Sequence, residues 1–156
     1  MIVYRIEREK YLDATLSGIG ASLTKGFRWN SLHTKLVYTS ESRSLATLEV
    51  TVHLDLSEDL PSDRYYVEIE IPDDLTILEV SVEDLPDDWN AKPPGITTPT
   101  IGDDFVAENQ AAVLKVPSAI VPGEYNFLIN PAHPDAKRIK VKARMKMGFD
   151  GRLRGK

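Results

Sequence analysis

Cysteine is missing from the 156-residue sequence. Its absence excludes a disulfide framework, a thiolate nucleophile and any metal site with cysteine ligands, and it predicts a protein of the reducing cytoplasm. Histidine is scarce as well. His33, His53 and His133 lie far apart and form no HExxH or similar spacing, so we predict no metal site.

Long apolar runs are also missing. No stretch approaches the ~18 consecutive apolar residues of a membrane-spanning helix, and no charged and then apolar leader stands at the N-terminus. We therefore expect a soluble chain without a membrane segment. Residues 17–22 contain glycine but neither the GxGxxG spacing nor the lysine of a phosphate-binding loop, and they predict a turn or lid.

Positive charge is in deficit, because 19 Lys and Arg residues stand against 24 Asp and Glu residues, for a net charge of −5. This balance argues against direct binding of nucleic acid. Basic residues gather in the C-terminal stretch, where we expect a solvated strand face and a basic tail from about residue 146. Docking of an acidic partner or of a nucleotide phosphate is the alternative.

The length and the 42% hydrophobic content predict one domain over residues 1–156. Residues 65–71 alternate between apolar and polar side chains, as a half-buried strand does. Further strands are predicted at 2–6, 36–38, 75–82, 112–116, 125–129 and 139–145, and helices at 7–16, 42–53 and 100–109. About six or seven strands with few helices predict an α+β domain with a mostly antiparallel sheet.

The predicted helix at 42–53 places a carboxylate on an apolar face. Three apolar residues at i, i+3 and i+7 define that face: Leu45, Leu48 and Val52. Ser40 or Ser42 is placed to cap the helix, and Glu49 lies on the same face as the apolar residues. Because a buried carboxylate requires a cation or hydrogen-bond donors, Glu49 is either a rim residue, an ion-pair partner of Arg28 or a functional group.

Six polar residues are candidates for one site: Arg5, Arg28, Tyr38, Glu49, Ser118 and Asn130. Arginine binds diphosphate oxygens with two parallel hydrogen bonds, and a carboxylate stabilises an oxocarbenium ion. Such a set suits a substrate that carries phosphates and reacts through a cationic transition state. NAD+ meets both conditions, because its nicotinamide is already a positively charged leaving group. Ser118 lacks a GxSxG motif, which argues against a hydrolase nucleophile.

Five sequence blocks, in this order along nearly the whole chain, resemble a known family. They are Tyr4-Arg5, the stretch 26–53 with GFRWN and VYTSESRSLATLE, LPDDW at 85–89, VPS at 116–118 and NPAHP at 130–134. Together they resemble the RES-domain toxins, the toxin halves of bacterial toxin-antitoxin pairs whose antitoxin carries an Xre-type helix-turn-helix. One departure is Phe27, which stands where the family usually has glycine before Arg-Trp-Asn.

The resemblance implies a fold similar to that of ADP-ribosyltransferases and an activity that consumes NAD+ as substrate, with no resident cofactor. The activity would be hydrolysis or phosphorolysis of the nicotinamide glycosidic bond, which depletes NAD+ and arrests growth, or transfer of ADP-ribose to a cellular protein. The resemblance assigns catalysis to Glu49 and Tyr38 and substrate binding to Arg5, Arg28, Ser118 and Asn130. For Asn130 a purely structural role has equal weight.

The resemblance also implies a partner, an Xre-type helix-turn-helix antitoxin that forms a hetero-oligomer with this chain and binds DNA itself. Two interpretations from other classes stay open. One is a non-enzymatic module that binds an antitoxin-like partner through the same groove. The other is a small nucleotide- or RNA-binding domain, which the acidic balance and the lack of interleaved surface aromatics disfavour.

Overall fold

The structure is a computed structural model that describes residues 1–57 and 59–154. Its strands are β1 (Ile2–Arg8), β2 (Val37–Ser40), β3 (Arg64–Glu70), β4 (Ile77–Glu79), β5 (Val113–Pro117), β6 (Tyr125–Ile129) and β7 (Lys140–Lys146). They form one sheet in the order β4-β5-β6-β2-β1-β3-β7. Neighbouring strands are antiparallel except β4 and β5, which are parallel. The predicted α+β class with a mostly antiparallel sheet is confirmed.

The helices are short and lie between strands. They are α1 (Ile19–Ser22), α2 (Arg43–Thr51) and α3 (Thr97–Glu108), with 3-10 segments at Glu9–Ala14, Val82–Asp84, Pro134–Arg138 and Gly151–Arg154. The prediction of a helix at 7–16 was wrong. Glu7 and Arg8 extend β1 and pair with β3, and only a 3-10 segment follows at Glu9–Ala14. The predicted loop at 17–22 contains the single turn of α1. Among residues 1–57 and 59–154, no helix has the length and apolar character needed to cross a membrane.

Helix α2 begins where the sequence predicts and buries a different face. The Ser42 side chain accepts a hydrogen bond from the backbone N–H of Leu45 at 3.0 Å and caps the helix. Leu45 is buried, whereas Leu48 and Val52 are 39% and 48% exposed, so the prediction of one apolar face for all three was wrong. The buried residues of α2 are Leu45 and Ala46, Glu49 and Val50 are partly buried, and Val52 follows the last helical residue.

The sheet separates two apolar clusters. Successive residues of β6 divide between them, because Phe127 and Ile129 join the cluster around Val3 and Val67, whereas Leu128 joins the cluster on the opposite face. This second cluster includes Trp29, Leu36, Leu114, Val116 and Phe105 of α3. Helix α3 therefore covers the face of the sheet on which the β6 side chain of Leu128 lies.

Helix α3 approaches the loop at residues 26–30 very closely at Gly102. A Cβ atom on Gly102 would lie 1.5 Å from the carbonyl oxygen of Trp29, so a larger residue cannot occupy this position without moving the backbone. The Trp29 ring is buried and packs beside the Trp89 ring, with 6.2 Å between centroids. These contacts fix the loop that carries Arg28.

Candidate active site

Polar side chains from two neighbouring strands lie on the face of the sheet that α3 covers. Ser40 of β2 pairs with Asn126 of β6, and Tyr38 pairs with Leu128. Directly opposed residues of an antiparallel pair point to the same side of the sheet. Helix α2 adds Glu49 to this group, because its carboxylate contacts the side chain of Asn126. The candidate site therefore combines side chains of the sheet with one carboxylate from α2.

The Glu49 carboxylate is held through one of its two oxygens. Its Oε1 accepts hydrogen bonds from Ser118 Oγ and from Asn126 Nδ2, both at 2.8 Å. Asn126 Oδ1 in turn accepts from Ser40 Oγ at 2.7 Å. Within the part of the chain that the structure describes, Glu49 Oε2 accepts no hydrogen bond. One oxygen is thus fixed by the protein, and the second is available to a ligand.

Ser118 serves as a donor to Glu49. Its side chain is buried, and its Oγ accepts from the backbone N–H groups of Ile120 and Val121, each at 3.1 Å. The single hydroxyl hydrogen therefore goes to Glu49 Oε1. This geometry gives Ser118 a role in orienting the carboxylate, and the two N–H donors occupy the lone pairs that a serine nucleophile would need.

Arg28 reaches the site from the loop that packs against α3. Its Nη1 donates to the carbonyl oxygens of Trp89 at 2.8 Å and Ala91 at 3.2 Å, and its Nη2 donates to Ala91 at 3.2 Å. Among the described residues, no ion pair joins Arg28 to Glu49, so the ion-pair interpretation of Glu49 was wrong. Burial lowers the pKa of Arg28, and the negative charge of Glu49 opposes that shift. The negative charge of Glu49 therefore favours the charged form of Arg28 without a direct ion pair between them.

Tyr38 holds the loop that carries Arg28. Its hydroxyl donates to Asn30 Oδ1 at 2.6 Å and accepts from the Trp29 backbone N–H at 3.2 Å. Burial raises the pKa of Tyr38, which keeps the hydroxyl protonated. Phe27, the departure from the family pattern, packs beside the Tyr38 ring with 5.3 Å between centroids. Tyr38 thus fixes the loop through its hydroxyl, and the catalytic role that the resemblance assigns to Tyr38 stays a prediction.

Arg5 lies on the other face of the sheet. Its neighbour Tyr4 pairs with Ser40 on the site face, so the alternation of the strand directs Arg5 away. There Arg5 forms an ion pair with Glu7 at 3.1 Å and donates from Nε to Thr15 Oγ1 at 3.2 Å. Its Nη1 donates a hydrogen bond to the backbone carbonyl oxygen of Tyr38 at 3.1 Å. The structure does not bring Arg5 together with Glu49, although both were predicted to form one site.

Asn130 is also separate from Glu49. It follows the end of β6, about 13 Å along the strand from Asn126 at ~3.3 Å per residue. The side chain is fully buried, donates from Nδ2 to Asn109 Oδ1 at 2.9 Å and accepts at Oδ1 from the Ala132 N–H at 3.0 Å. It ties the end of α3 to the turn after β6, and the geometry favours the structural one of its two predicted roles.

Asn126 and Ser40 were not among the site residues predicted from the sequence. Asn126 lies between Tyr125 and Phe127, and an amide at such a position is costly to bury without partners, which is the signal that could have identified it. Ser40 was considered only as a helix cap. The helix cap is Ser42, and the Ser40 hydroxyl donates a hydrogen bond to Asn126 instead.

The sequence matches the RES domain family over residues 2–150. A protein of Sphingobium sp. (strain YBL2) named "Prs ADP-ribosylating toxin" is 48% identical over 140 residues, which cover 88% of this chain and 86% of that protein. A protein of Photorhabdus laumondii subsp. laumondii named "Toxin Res" is 41% identical over 155 residues, which cover 98% of this chain and 97% of that protein.

A solved structure shares the fold. It is titled "Crystal structure of the M.tuberculosis MbcT-MbcA toxin-antitoxin complex", and the match has a TM-score of 0.74 at 15% identity, covering 94% of this chain and 83% of the other. At this identity the likeness concerns the fold alone. The family match and the two relatives extend over nearly the full chain, and both relatives carry the name of a toxin. The predicted resemblance is confirmed, and the chain belongs to the RES-domain toxin family.

Proposed function

We propose that this protein cleaves NAD+ at the bond between nicotinamide and ribose. The observation that carries the proposal is the Glu49 carboxylate, held at Oε1 by Ser118 and Asn126 with Oε2 open, on the same side of the sheet as the Arg28 loop. Nicotinamide leaves with the electrons of the bond and becomes neutral, while positive charge develops on the ribose. A fixed carboxylate stabilises that charge, and because the leaving group is cationic the step needs no strong acid.

Arg28 is suited to the diphosphate of the same substrate. Its three hydrogen bonds to two backbone carbonyls orient the guanidinium before a ligand arrives, and its Nε–H donates to no acceptor among the described residues. A preoriented arginine loses little side-chain freedom when it binds phosphate oxygens. Arg28 would therefore bind and place the substrate, while Glu49 would stabilise the transition state.

The acceptor of the ADP-ribose decides the products. A ribosyl cation can take a lone pair from water, from inorganic phosphate or from a protein side chain, and the bond to nicotinamide breaks in the same way in each case. The name of the relative at 48% identity, an ADP-ribosylating toxin, favours transfer to a protein as the second candidate beside hydrolysis or phosphorolysis. All three share the proposed first step.

We expect the purified protein to release nicotinamide from NAD+, because Glu49 stabilises the charge that forms on the ribose. The measurement is chromatography and mass analysis after incubation in water, with added phosphate and with added cell extract. Free ADP-ribose, its phosphate ester or ADP-ribosylated protein would identify the acceptor. Absence of nicotinamide under all three conditions would contradict the proposal and favour the non-enzymatic binding module.

In cells, induced expression of the protein should lower both the total NAD(H) content and the growth rate.

We also propose that the chain has an antitoxin as its partner, of the Xre helix-turn-helix type, which would bind DNA in place of this acidic chain. The toxin names of the relatives and the toxin-antitoxin title of the structural neighbour support an antitoxin as the partner. We expect co-expression with the adjacent reading frame to restore growth and NAD(H) and to give a hetero-oligomer on size exclusion. A complex that forms but leaves NAD+ turnover unchanged would show that the partner does not cover the site.

A further inference from the structure

We propose that Asn126 is a positioning residue that orients the Glu49 carboxylate so that Oε2 is the oxygen that faces the substrate. Ser40 holds Asn126 in place through a hydrogen bond to its Oδ1. This inference rests on the proposed cleavage of NAD+. It assigns a role to two side chains that do not contact the reacting atoms themselves. Their function would be to decide which carboxylate oxygen is free and where it lies.

The two donors to Glu49 Oε1 come from neighbouring strands of the same sheet. Asn126 is in β6 and pairs with Val116 of β5, and Ser118 follows directly after the end of β5. Both donors therefore share one rigid frame, whereas Glu49 comes from α2 and has a side chain with several rotatable bonds. A single donor would fix a distance and leave the carboxylate able to turn. A second donor on the same oxygen fixes its position and restricts rotation of the group.

Ser40 supports the orientation of the Asn126 amide that Glu49 requires. Only the nitrogen end can donate to a carboxylate, and the oxygen end would repel it. Ser40 Oγ donates to Asn126 Oδ1 at 2.7 Å, from a side chain that is only 4% exposed and lies directly across the strand pair. Rotation of the amide by half a turn would direct Oδ1 at Glu49 Oε1 and bring two acceptor oxygens together. Glu49 therefore selects the orientation of the amide, and the bond from Ser40 Oγ to Oδ1 holds the amide in that orientation.

We expect Asn126→Ala to lower kcat for nicotinamide release by about 10- to 100-fold, the usual effect of one hydrogen bond to a charged group. The KM for NAD+ and the melting temperature should stay near the wild-type values, because the variant keeps the fold and the Arg28 loop. Ser40→Ala should lower kcat by a smaller factor, since Asn126 can still bond Glu49 in part of the population. Ser40→Thr, which keeps the hydroxyl, should restore most of the rate.

Asn126→Asp provides a pH readout that a purely structural role would not change. An aspartic acid of the same shape can donate to Glu49 only while it carries a proton, so kcat should fall as the pH rises. The wild-type amide has no proton to lose in this range, and its profile should lack that decline. A profile of Asn126→Asp parallel to the wild type would contradict the proposal.

Thr39→Ala is the matched control for Ser40→Ala. Thr39 is the adjacent residue of β2, it is equally buried, and its Oγ1 donates to the carbonyl oxygen of Phe127 at 2.8 Å on the opposite face of the sheet. We expect its kcat to match the wild type. Unchanged kcat in Asn126→Ala, or equal losses of kcat and melting temperature in Asn126→Ala and Thr39→Ala, would overturn the inference.

Crystal structures of the wild type and Asn126→Ala separate this inference from the proposed function. We expect the Glu49 carboxylate to turn or to become disordered in the variant, and an unmoved carboxylate overturns the inference whatever the activity. Absence of nicotinamide release by the wild type would count against NAD+ cleavage alone. Wild-type activity combined with an unaffected Asn126→Ala variant would count against the role of Asn126 alone.

Discussion

Glu49→Gln is expected to lower the rate of nicotinamide release by about 10²- to 10³-fold, the usual loss when one preorganised electrostatic group is removed. The substitution keeps the volume of the side chain and removes its negative charge. Since positive charge develops on the ribose only as the bond breaks, the loss should appear in kcat far more than in the KM for NAD+.

The same variant should melt near the wild-type temperature. A glutamine oxygen can accept from Ser118 Oγ and Asn126 Nδ2 as Glu49 Oε1 does, and the new amide nitrogen takes the place of the oxygen that has no donor. If Glu49 only satisfied its two neighbours, Glu49→Gln would therefore keep both stability and activity. Steady-state kinetics with calorimetry on the same preparation distinguish the two cases, and full activity in this variant would refute the catalytic assignment.

Glu79→Gln is the control for charge. Glu79 lies in the edge strand β4, where its carboxylate is 3.8 Å from Lys115 Nζ and its side chain is 49% exposed. The variant changes the net charge by the same amount without touching the candidate site. We expect its activity and melting temperature to equal those of the wild type, because an exposed ion pair contributes little.

Arg28→Lys is expected to raise the KM for NAD+ by about 10- to 100-fold, the factor that corresponds to one or two lost hydrogen bonds between charged groups. Lysine keeps the positive charge but has one ammonium group in place of the planar fork. It cannot donate to the carbonyls of Trp89 and Ala91 and to two diphosphate oxygens at the same time. The measurement is NAD+ titration of initial rates, together with calorimetric binding of ADP-ribose.

Arg138→Lys is a matched control for Arg28→Lys. Arg138 donates from Nη2 to both carboxylate oxygens of Asp74 at 2.8 Å on the exposed surface. The Arg138→Lys variant therefore loses comparable hydrogen bonds outside the candidate site. We expect no change in KM. An Arg28→Lys variant with wild-type KM and a lower melting temperature would show that Arg28 serves only to fasten the 89–91 segment.

Much of the fold could be predicted from the sequence because its signals are local. Alternation of side chains identified β3, and one of the two serines considered as caps, Ser42, marks the start of α2. The order of the family blocks identified Arg28, Glu49 and Ser118, which the structure places around one side of the sheet. Local patterns were weaker where tertiary pairing decides, as at Glu7 and Arg8, which extend β1 by pairing with β3.

By itself the sequence determined most of the element types, the acidic balance and the family, because these depend on neighbouring residues or on their order. Only the tertiary structure decided which candidates meet. Arg5 and Tyr4 are adjacent in the chain and face opposite sides of the sheet, and a strand with a period of two reverses a side chain with every residue. Asn126 reaches Glu49 across 77 residues because β6 joins β2 in the sheet, and this adjacency comes from long-range pairing that no local pattern contains.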